Sequence, residues 1–172
     1  QWYPKPAVYD KTGWHEMPYL DMGEFYSEYA DYKVNITVPS AYVVAATGEM
    51  KNADELAQYK EVGAKNTADR NARNQYQPKD KAAVKTLNYT ASNVPDFAWF
   101  TEKGFIIQYD TLKLASGKVV DAFSYYHNKK NTLWNNSIDY VKEGARYYSN
   151  LIGEYEYPVV QAVEGPKNNS SG

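Results

Sequence analysis

The chain has 172 residues, of which 43% are hydrophobic and 23% charged, and its formal net charge is −2. This length suits one domain, or one domain and the start of another. The near-neutral charge gives no electrostatic reason to expect nucleic acid or an anionic membrane as a partner. No apolar run approaches the roughly 20 residues that a membrane helix needs, so no membrane span is predicted.

Two further features of the composition bear on the class of protein. Cysteine is absent, which excludes disulfides, thiolate metal sites and a cysteine nucleophile. No secretory signal is visible after Gln1, and we expect any such signal to lie upstream. The compartment stays open, with an extracytoplasmic location, periplasmic or secreted, favoured. Aromatic residues make up 16% of the chain, which suits packing within β-sheets, while a stacking surface for sugars or peptides is the alternative.

The first part of the chain is predicted to form extended structure. Two early prolines, Pro4 and Pro6, and a "DKTG" turn indicate an edge-like segment with one tight reversal. Alternating apolar residues from Tyr32 to Val38 predict a half-buried strand. The segment "AYVVAATGE" follows Pro39 and predicts a return strand that forms a hairpin with the first.

The β signal continues further along the chain, up to about residue 130. Strands are predicted in "KAAVKTLNYTAS", in "VPDFAWFTEK" and in two apolar runs separated by "ASGK". The "ASGK" turn predicts a second hairpin. These strands and their antiparallel links predict a mostly β fold, either an antiparallel β-sandwich or a large curved sheet.

A polar stretch over about residues 52–81 interrupts the strands. Its spaced apolar residues are Leu56, Tyr59 and Val62, and Asn52 or Asp54 could cap a short helix. We expect the rest of this stretch to be an exposed excursion, and it is where disorder is expected.

After residue 130 the hydrophobic period changes to that of an amphipathic helix. The predicted apolar face consists of Trp134, Ile138, Val141, Ala145, Tyr148 and Ile152. Thr132 or Asn131 is the expected N-cap, and Gly153 lies where the end of a helix favours a left-handed residue. The segment "YPVVQAVEG" then predicts a strand.

A helix and a strand after an all-β region indicate the opening of an α/β or α+β domain. We therefore predict a boundary near residues 128–131. Residues 1–128 would form a β-domain that contains the polar stretch, and residues 129–172 would begin a second domain.

No sequence motif for catalysis is present. The chain has no H-E-x-x-H, no G-x-S-x-G, no phosphate loop and no dinucleotide-binding motif. Its two histidines, His15 and His127, are far apart, and we interpret each as a loop or strand-end residue. The segment "GEFYSEY", residues 23–29, alternates acids and aromatic residues, which is compatible with the rim of a cleft and equally with an exposed strand.

Several segments resemble, in the same order, the aminopeptidase N family of gluzincin zinc metallopeptidases. Residues 2–49 resemble the later part of that family's N-terminal β-domain, and "NVPDFAWF" resembles the stretch near its end. The segment "NNSIDYVKEGARYYSNLIGEYEYPVVQAVEG" resembles the first helix and strand of the thermolysin-like catalytic domain. Residues 52–81 fall outside the resemblance and are interpreted as an insertion.

The resemblance implies a non-catalytic fragment of a longer parent protein. In the family, the glutamate that holds the substrate's amino group, the H-E-x-x-H helix and the third zinc ligand all come later than the segments matched here. No catalytic, cofactor-binding or metal-binding residue is therefore carried over to this sequence, and the fragment is expected to be inactive. The parent would bind zinc and hydrolyse N-terminal peptide bonds, and the expected partners are the remainder of its own catalytic domain and a peptide substrate.

Glu24 and Tyr26 are the candidate cleft or interface residues, since they lie in the segment that alternates acids and aromatic residues. Two other hypotheses stay open. One is an aromatic-rich β-sandwich module that binds carbohydrate or peptide, and the other is a structural or adhesion domain.

Overall fold

β-Strands dominate the structure, a computed structural model that describes residues 2–16, 26–79, 82–129 and 132–165. The described residues form ten strands: β1 (Val8–Asp10), β2 (Gly13–His15), β3 (Ala30–Pro39), β4 (Val43–Ala46), β5 (Glu49–Met50), β6 (Val84–Val94), β7 (Trp99–Glu102), β8 (Phe105–Lys113), β9 (Val119–His127) and β10 (Val159–Val163). They also form helices α1 (Ala53–Ala68) and α2 (Ser137–Leu151), and a 3₁₀ helix, Leu133–Asn136. The predicted class, mostly β with antiparallel sheets followed by a helix and a strand, is confirmed.

The N-terminal segment forms a small hairpin, as predicted. Strands β1 and β2 pair antiparallel, with Tyr9 opposite Trp14. Asp10 stabilises the turn, because its carboxylate accepts hydrogen bonds from the backbone N–H and the hydroxyl of Thr12.

The long strands β3 and β6 pair antiparallel along most of their length, with Ile36 opposite Leu87. The predicted alternation in β3 is confirmed, since Ile36 and Val38 are buried while Asn35 and Thr37 are exposed. On the other side of β6, the short strand β5 pairs only at its two residues, with Met50 opposite Tyr89.

The predicted hairpin between β3 and β4 is wrong. Strand β4 pairs with β7, with Ala46 opposite Trp99, and not with β3. The chain turns at Pro39, whose carbonyl accepts a hydrogen bond from the N–H of Tyr42, and passes to a different sheet. All four residues of β4 are buried. A strand that is covered on both faces is apolar throughout. A strand paired with β3, which is exposed on one face, would instead alternate apolar and polar residues.

The predicted hairpin around "ASGK" is confirmed. Strands β8 and β9 pair antiparallel from Phe105 opposite His127 to Lys113 opposite Val119. Strand β10 then pairs parallel to β9, so that β9, α2 and β10 form a βαβ unit. This pairing joins strands on either side of the boundary predicted near residues 128–131, which stays a prediction.

The expectation of a short helix is wrong, whereas most of residues 69–79, which follow the helix, are exposed as expected. Helix α1 has 16 residues and buries Gln58, Tyr59, Gly63 and Asn66. Asn52 stands at the N-cap position, as predicted, but its side chain makes no capping hydrogen bond. It bonds to β6 instead, accepting from the N–H of Asn88 and donating to the carbonyl of Thr86.

Helix α1 covers the free edge of β8. The amide of Asn66 donates to the carbonyl of Ile107 at 2.9 Å. The hydroxyl of Thr67 donates to the carbonyl of Tyr109 at 2.9 Å and accepts from its N–H at 3.2 Å. These two side chains replace the hydrogen bonds that a further strand would make. Gly63 allows the close approach, since a Cβ there would lie 2.6 Å from the Cβ of Tyr109.

Helix α2 packs against the sheet through only part of its predicted face. Ile138 is buried, whereas Tyr148 and Ile152 are 59% and 79% exposed. The prediction that these two residues belong to a packed face is therefore wrong for the described part of the chain, because no described element covers the C-terminal turns of α2. Thr132 caps the preceding 3₁₀ helix as expected, and Gly153 has a φ of +155° after the helix end.

The main core lies between the sheets and under α1. It includes Ile36, Leu87, Phe97, Phe123 and Tyr59, the last from α1. A smaller cluster of buried residues in β8, β9 and the turn between them packs against Ala145 of α2. Neither described helix has the length and apolar character needed to cross a membrane.

Candidate functional site

Of the two candidate residues from the sequence, only one can be located. Glu24 lies outside the described residues. Tyr26 is 49% exposed, and its ring meets that of His15 edge-on, with centroids 5.3 Å apart. Whether either residue contributes to a cleft or an interface stays a prediction.

The β1–β2 hairpin presents an exposed aromatic pair. The rings of Tyr9 and Trp14 have centroids 4.9 Å apart, and these side chains are 64% and 66% exposed. Asp10 lies beside them, and its hydrogen bonds from Thr12 and His15 lower its pKa to about 2. The carboxylate is therefore charged at neutral pH, and it orders the turn that holds the two rings.

A cleft of about 540 Å³ separates the ends of β5 and β6 from the segment that leads into β10. Tyr157 bridges it, since its hydroxyl donates to the carbonyl of Asn93 at 2.8 Å. Asn93 has a φ of +56°, and its N–H donates to Asp31 at 3.0 Å. Since asparagine tolerates a left-handed conformation, this short turn can end β6 while its carbonyl reaches Tyr157.

The charged side chains that line this cleft in the described residues are acidic, namely Glu49, Asp96 and Glu156. Asp96 is bonded to the ammonium of Lys5 at 2.7 Å and to the hydroxyl of Tyr3 at 2.7 Å. Burial favours the neutral acid, but these hydrogen bonds outweigh it and lower the pKa of Asp96. The walls include Tyr155, Tyr157 and two prolines. Glu49 is also paired, with Lys51 at 3.2 Å, so Glu156 is the lining carboxylate without an ion pair among the described residues. One uncompensated negative charge beside aromatic walls favours a positively charged, partly apolar group.

The two histidines lie at strand ends, as predicted, at the last residues of β2 and β9. His127 contacts Glu102 through Nδ1, and its backbone N–H donates to the carboxylate of Glu164 at 2.8 Å. Within the described ranges, however, no group of three or more His, Asp or Glu side chains could hold a metal ion. The described residues therefore do not fit a zinc ion, whose site needs three protein ligands.

A partly buried ion pair was missed by the sequence reasoning. The ammonium of Lys85 lies 2.5 Å from the carboxylate of Glu55, which also accepts from the hydroxyl of Tyr76 at 3.0 Å. Burial lowers the pKa of Lys85, although the bond to Glu55 opposes this. The alternation of β6 was a signal, because it places Lys85 on the same face as buried Leu87 and Tyr89.

A second polar cluster joins α2 to the sheet. The side-chain amide of Gln108 donates to the carbonyl of Asn135 at 2.8 Å, and Ser124 and Ser137 share a hydrogen bond between their hydroxyls. All of these side chains except that of Asn135 are buried. Because their hydrogen-bonding groups are paired with one another, the cluster fixes the start of α2 and offers no reactive group.

No protein-family model matches the sequence, and no curated protein matches it. Solved structures, however, do match this chain. A mutant of a two-domain M1 zinc metallopeptidase bound to L-arginine matches over 83% of this chain, with 16% sequence identity and a TM-score of 0.53. An M1 zinc metallopeptidase from Deinococcus radiodurans matches over the same share, with 16% identity and a TM-score of 0.52.

The chain shares the fold of part of the M1 zinc metallopeptidases. It spans 28% of the length of each of these solved chains. At this level of identity the likeness concerns the fold and not the activity.

Proposed function

We propose that this chain is a non-catalytic part of an aminopeptidase-like zinc metallopeptidase, comprising part of its β-domain and the first helix and strand of the catalytic domain. The observation that carries the proposal is the fold shared with M1 zinc metallopeptidases over 83% of the chain, together with its 28% share of their length. The order of the sequence segments that resemble the aminopeptidase N family supports it independently.

The exposed face of α2 supports packing against a further part of the same protein. Tyr140, Tyr147 and Leu151 are between 62% and 65% exposed, and Ile152 is 79% exposed. An apolar surface of this kind on one helix is typical of an interface. We propose that the remainder of the catalytic domain covers it.

The proposed role of the chain is to frame the peptide-binding cleft of the parent. The 540 Å³ cleft beside β10 suits this role, because Glu156, the lining carboxylate without an ion pair among the described residues, complements the ammonium group of a peptide N-terminus. The zinc ligands would come from elsewhere in the parent, since the described residues offer no group that fits the metal.

The reading frame that encodes the chain provides the first test. We expect an H-E-x-x-H motif downstream of residue 172, and the full-length product should bind zinc and release N-terminal amino acids from peptides. The proposal is wrong if the frame lacks such a motif. It is equally wrong if residues 1–172 alone retain stoichiometric zinc and cleave aminoacyl reporters.

Alanine substitutions test the candidate residues. We expect Glu24→Ala and Tyr26→Ala, made in the full-length protein, to lower kcat/KM for peptide substrates severalfold, because their segment would form part of the rim of the parent's cleft, apart from the 540 Å³ cleft, whose lining does not include Tyr26. Phe100→Ala is the control, since Phe100 is also an exposed aromatic residue, on β7. Unchanged kinetics for both variants would remove these residues from the cleft.

The Tyr9–Trp14 pair favours a second candidate function, that of a carbohydrate- or peptide-binding module. Exposed aromatic rings on a short hairpin can stack on a sugar ring or an apolar side chain. Saturable glycan binding by this chain that is lost in Trp14→Ala would support this function.

A further inference from the structure

Strand β6 is paired with β3 along most of its length, and its other side is paired only in part. The N–H of Ser40 donates to the carbonyl of Ala83 at 3.1 Å, next to the end of β3, and the N–H of Lys51 donates to the carbonyl of Asn88 at 2.8 Å, on the opposite side. In an antiparallel strand the backbone groups of successive residues point to alternate sides. The N–H and C=O groups of Val84 and Thr86 therefore point away from β3, to the same side as those of Asn88.

The start of that second side is open. Strand β5 pairs with β6 only as far as Met50 opposite Tyr89. The side chain of Asn52 then takes the place of one more residue, bonding to the N–H of Asn88 at 2.6 Å and to the carbonyl of Thr86 at 3.1 Å. The N–H and C=O of Val84 and the N–H of Thr86 have no partner among the described residues. One position for a strand is thus open beside the start of β6.

A cavity of about 730 Å³ lies beside this open position, bounded by the first turns of α1. Gln58 of α1 lines it and is only 8% exposed. Ser40 also lines the cavity, and its buried hydroxyl has no hydrogen-bond partner in the part of the chain that the structure describes. A buried polar group that lacks a partner costs about 1–3 kcal/mol, so a ligand that hydrogen-bonds to this hydroxyl would stabilise the fold.

The charged and aromatic side chains that line the cavity indicate which class of ligand it would bind. The Lys85–Glu55 pair is neutral overall and bonded to itself, so it does not select for a charged ligand. The aromatic side chain that lines the cavity, Tyr76, is only 4% exposed, and this gives a sugar no ring face to stack on. The unpaired backbone groups recur at the two-residue spacing of a strand, which matches a peptide backbone.

We propose that this groove binds an extended peptide segment of another molecule by strand addition. The backbone of that peptide pairs with Val84 and Thr86 and continues the line that β5 begins. A polar side chain of the peptide reaches the amide of Gln58. This binding does not depend on the parent being a metallopeptidase.

Selection from a library of random short peptides tests the proposal, with counter-selection against the Val84→Pro variant. Proline is tolerated at the first residue of a strand, and here it removes one unpaired N–H. Peptides that survive should bind the wild-type chain and slow hydrogen exchange at the amides of Val84 and Thr86. Gln58→Leu, which removes the amide, should weaken binding about tenfold, the equivalent of one lost hydrogen bond.

Gln77→Leu is the matched control, since Gln77 is exposed and does not line the cavity, and it should bind like the wild type. Circular dichroism of each variant establishes that it is folded. The proposal is overturned if no peptide survives the counter-selection. It is also overturned if bound peptides leave exchange at Val84 and Thr86 unchanged, or if folded Gln58→Leu binds with wild-type affinity.

Discussion

At the scale of single residues, Gly48 meets two requirements at once. Its φ is +85°, and a Cβ there would lie 2.2 Å from the carbonyl oxygen of Thr90 on β6. Both the backbone conformation and the space therefore exclude a side chain. The position lies just before β5, so it also sets how closely that strand approaches β6.

We expect Gly48→Ala to lower the free energy of unfolding by about 2–4 kcal/mol, because strain in φ and the clash with Thr90 add together. Gly13 has a φ of +110°, but a Cβ there would have no atom within 4 Å, so Gly13→Ala should cost only about 1 kcal/mol. Urea unfolding of both variants measures the difference. Equal losses would mean that the contact with Thr90 is relieved by a small shift.

For single residues, the sequence could predict only which side of a strand a side chain occupies, from the two-residue alternation of apolar and polar residues. The pattern of β6 marks Lys85 as a residue on the inner face, but it gives no way to identify Glu55 as its partner. That partner belongs to α1, which approaches β6 only in the folded chain. Gln58 shows the same limit, since an isolated glutamine in a polar segment carries no sign that it will be buried.

At the scale of elements, the contact of α1 with β8 depends on small and amide side chains. Gly63, Asn66 and Thr67 lie on the buried or half-buried side of the helix, and they allow the helix axis to approach the strand edge. This arrangement explains why periodicity missed the length of α1. Rules that count apolar residues treat glycine, asparagine and threonine as signs of exposure, whereas here they bond to the backbone of β8 or allow its close approach.

Gly63→Ala tests the importance of this approach. Alanine raises helix propensity by about 1 kcal/mol, but at Gly63 its Cβ would lie 2.6 Å from the Cβ of Tyr109. We expect a net loss of about 1–3 kcal/mol in the free energy of unfolding. Gly144→Ala is the matched control in α2, where no atom lies within 4 Å, and it should be stabilising. A stabilising effect of Gly63→Ala would contradict the tight contact.

Strand periodicity succeeded where one face is buried and the partner is next in sequence. It located β3, β6 and the β8–β9 hairpin, and the helical period located α2. It failed for the partner of β4, because Val43–Ala46 is apolar throughout and such a run gives no information about the sheet it joins. The pairing with β7 depends on a connection of more than 50 residues, which no local pattern encodes.

At the scale of the whole molecule, buried tyrosines make the protein less stable at alkaline pH. Burial raises the pKa of Tyr59, Tyr89 and Tyr125 above the ordinary value. A group whose pKa is higher in the folded state contributes stability that is fully present below its unfolded pKa of about 10. That contribution is lost as the pH rises from there through the folded pKa.

We therefore expect the free energy of unfolding to fall as the pH rises above about 10, with a slope of at most about 1.4 kcal/mol per pH unit for each buried tyrosine. Tyr89→Phe should reduce this slope by one such contribution. Phe123→Leu is the control, since it should lower stability at every pH without changing the slope. Complete ionisation of the tyrosines before any loss of circular dichroism would contradict the prediction.

From the sequence, the function of the molecule could be inferred only because several segments resemble the aminopeptidase N family in the same order. The fold shared with M1 zinc metallopeptidases agrees with that inference, but it concerns the fold alone. The candidate cleft could not be predicted, because it forms where residues near 48, 93 and 157 converge. Zinc, compartment and the activity of the parent stay predictions, since they depend on residues beyond those that form this fold.

Helix α1 covers the β8 edge of the β10–β9–β8 sheet, so the two edges of this sheet differ in whether they can pair with a further strand. Asn66 and Thr67 bond to the outer backbone of β8 at Ile107 and Tyr109, and Gln75 forms a β-bridge with Ile106. The order of strands leaves β10 at the opposite edge of the sheet. An additional strand in this sheet would therefore be added next to β10, whose residues 159–161 line the 540 Å³ cleft. Such a strand would cover one side of that cleft.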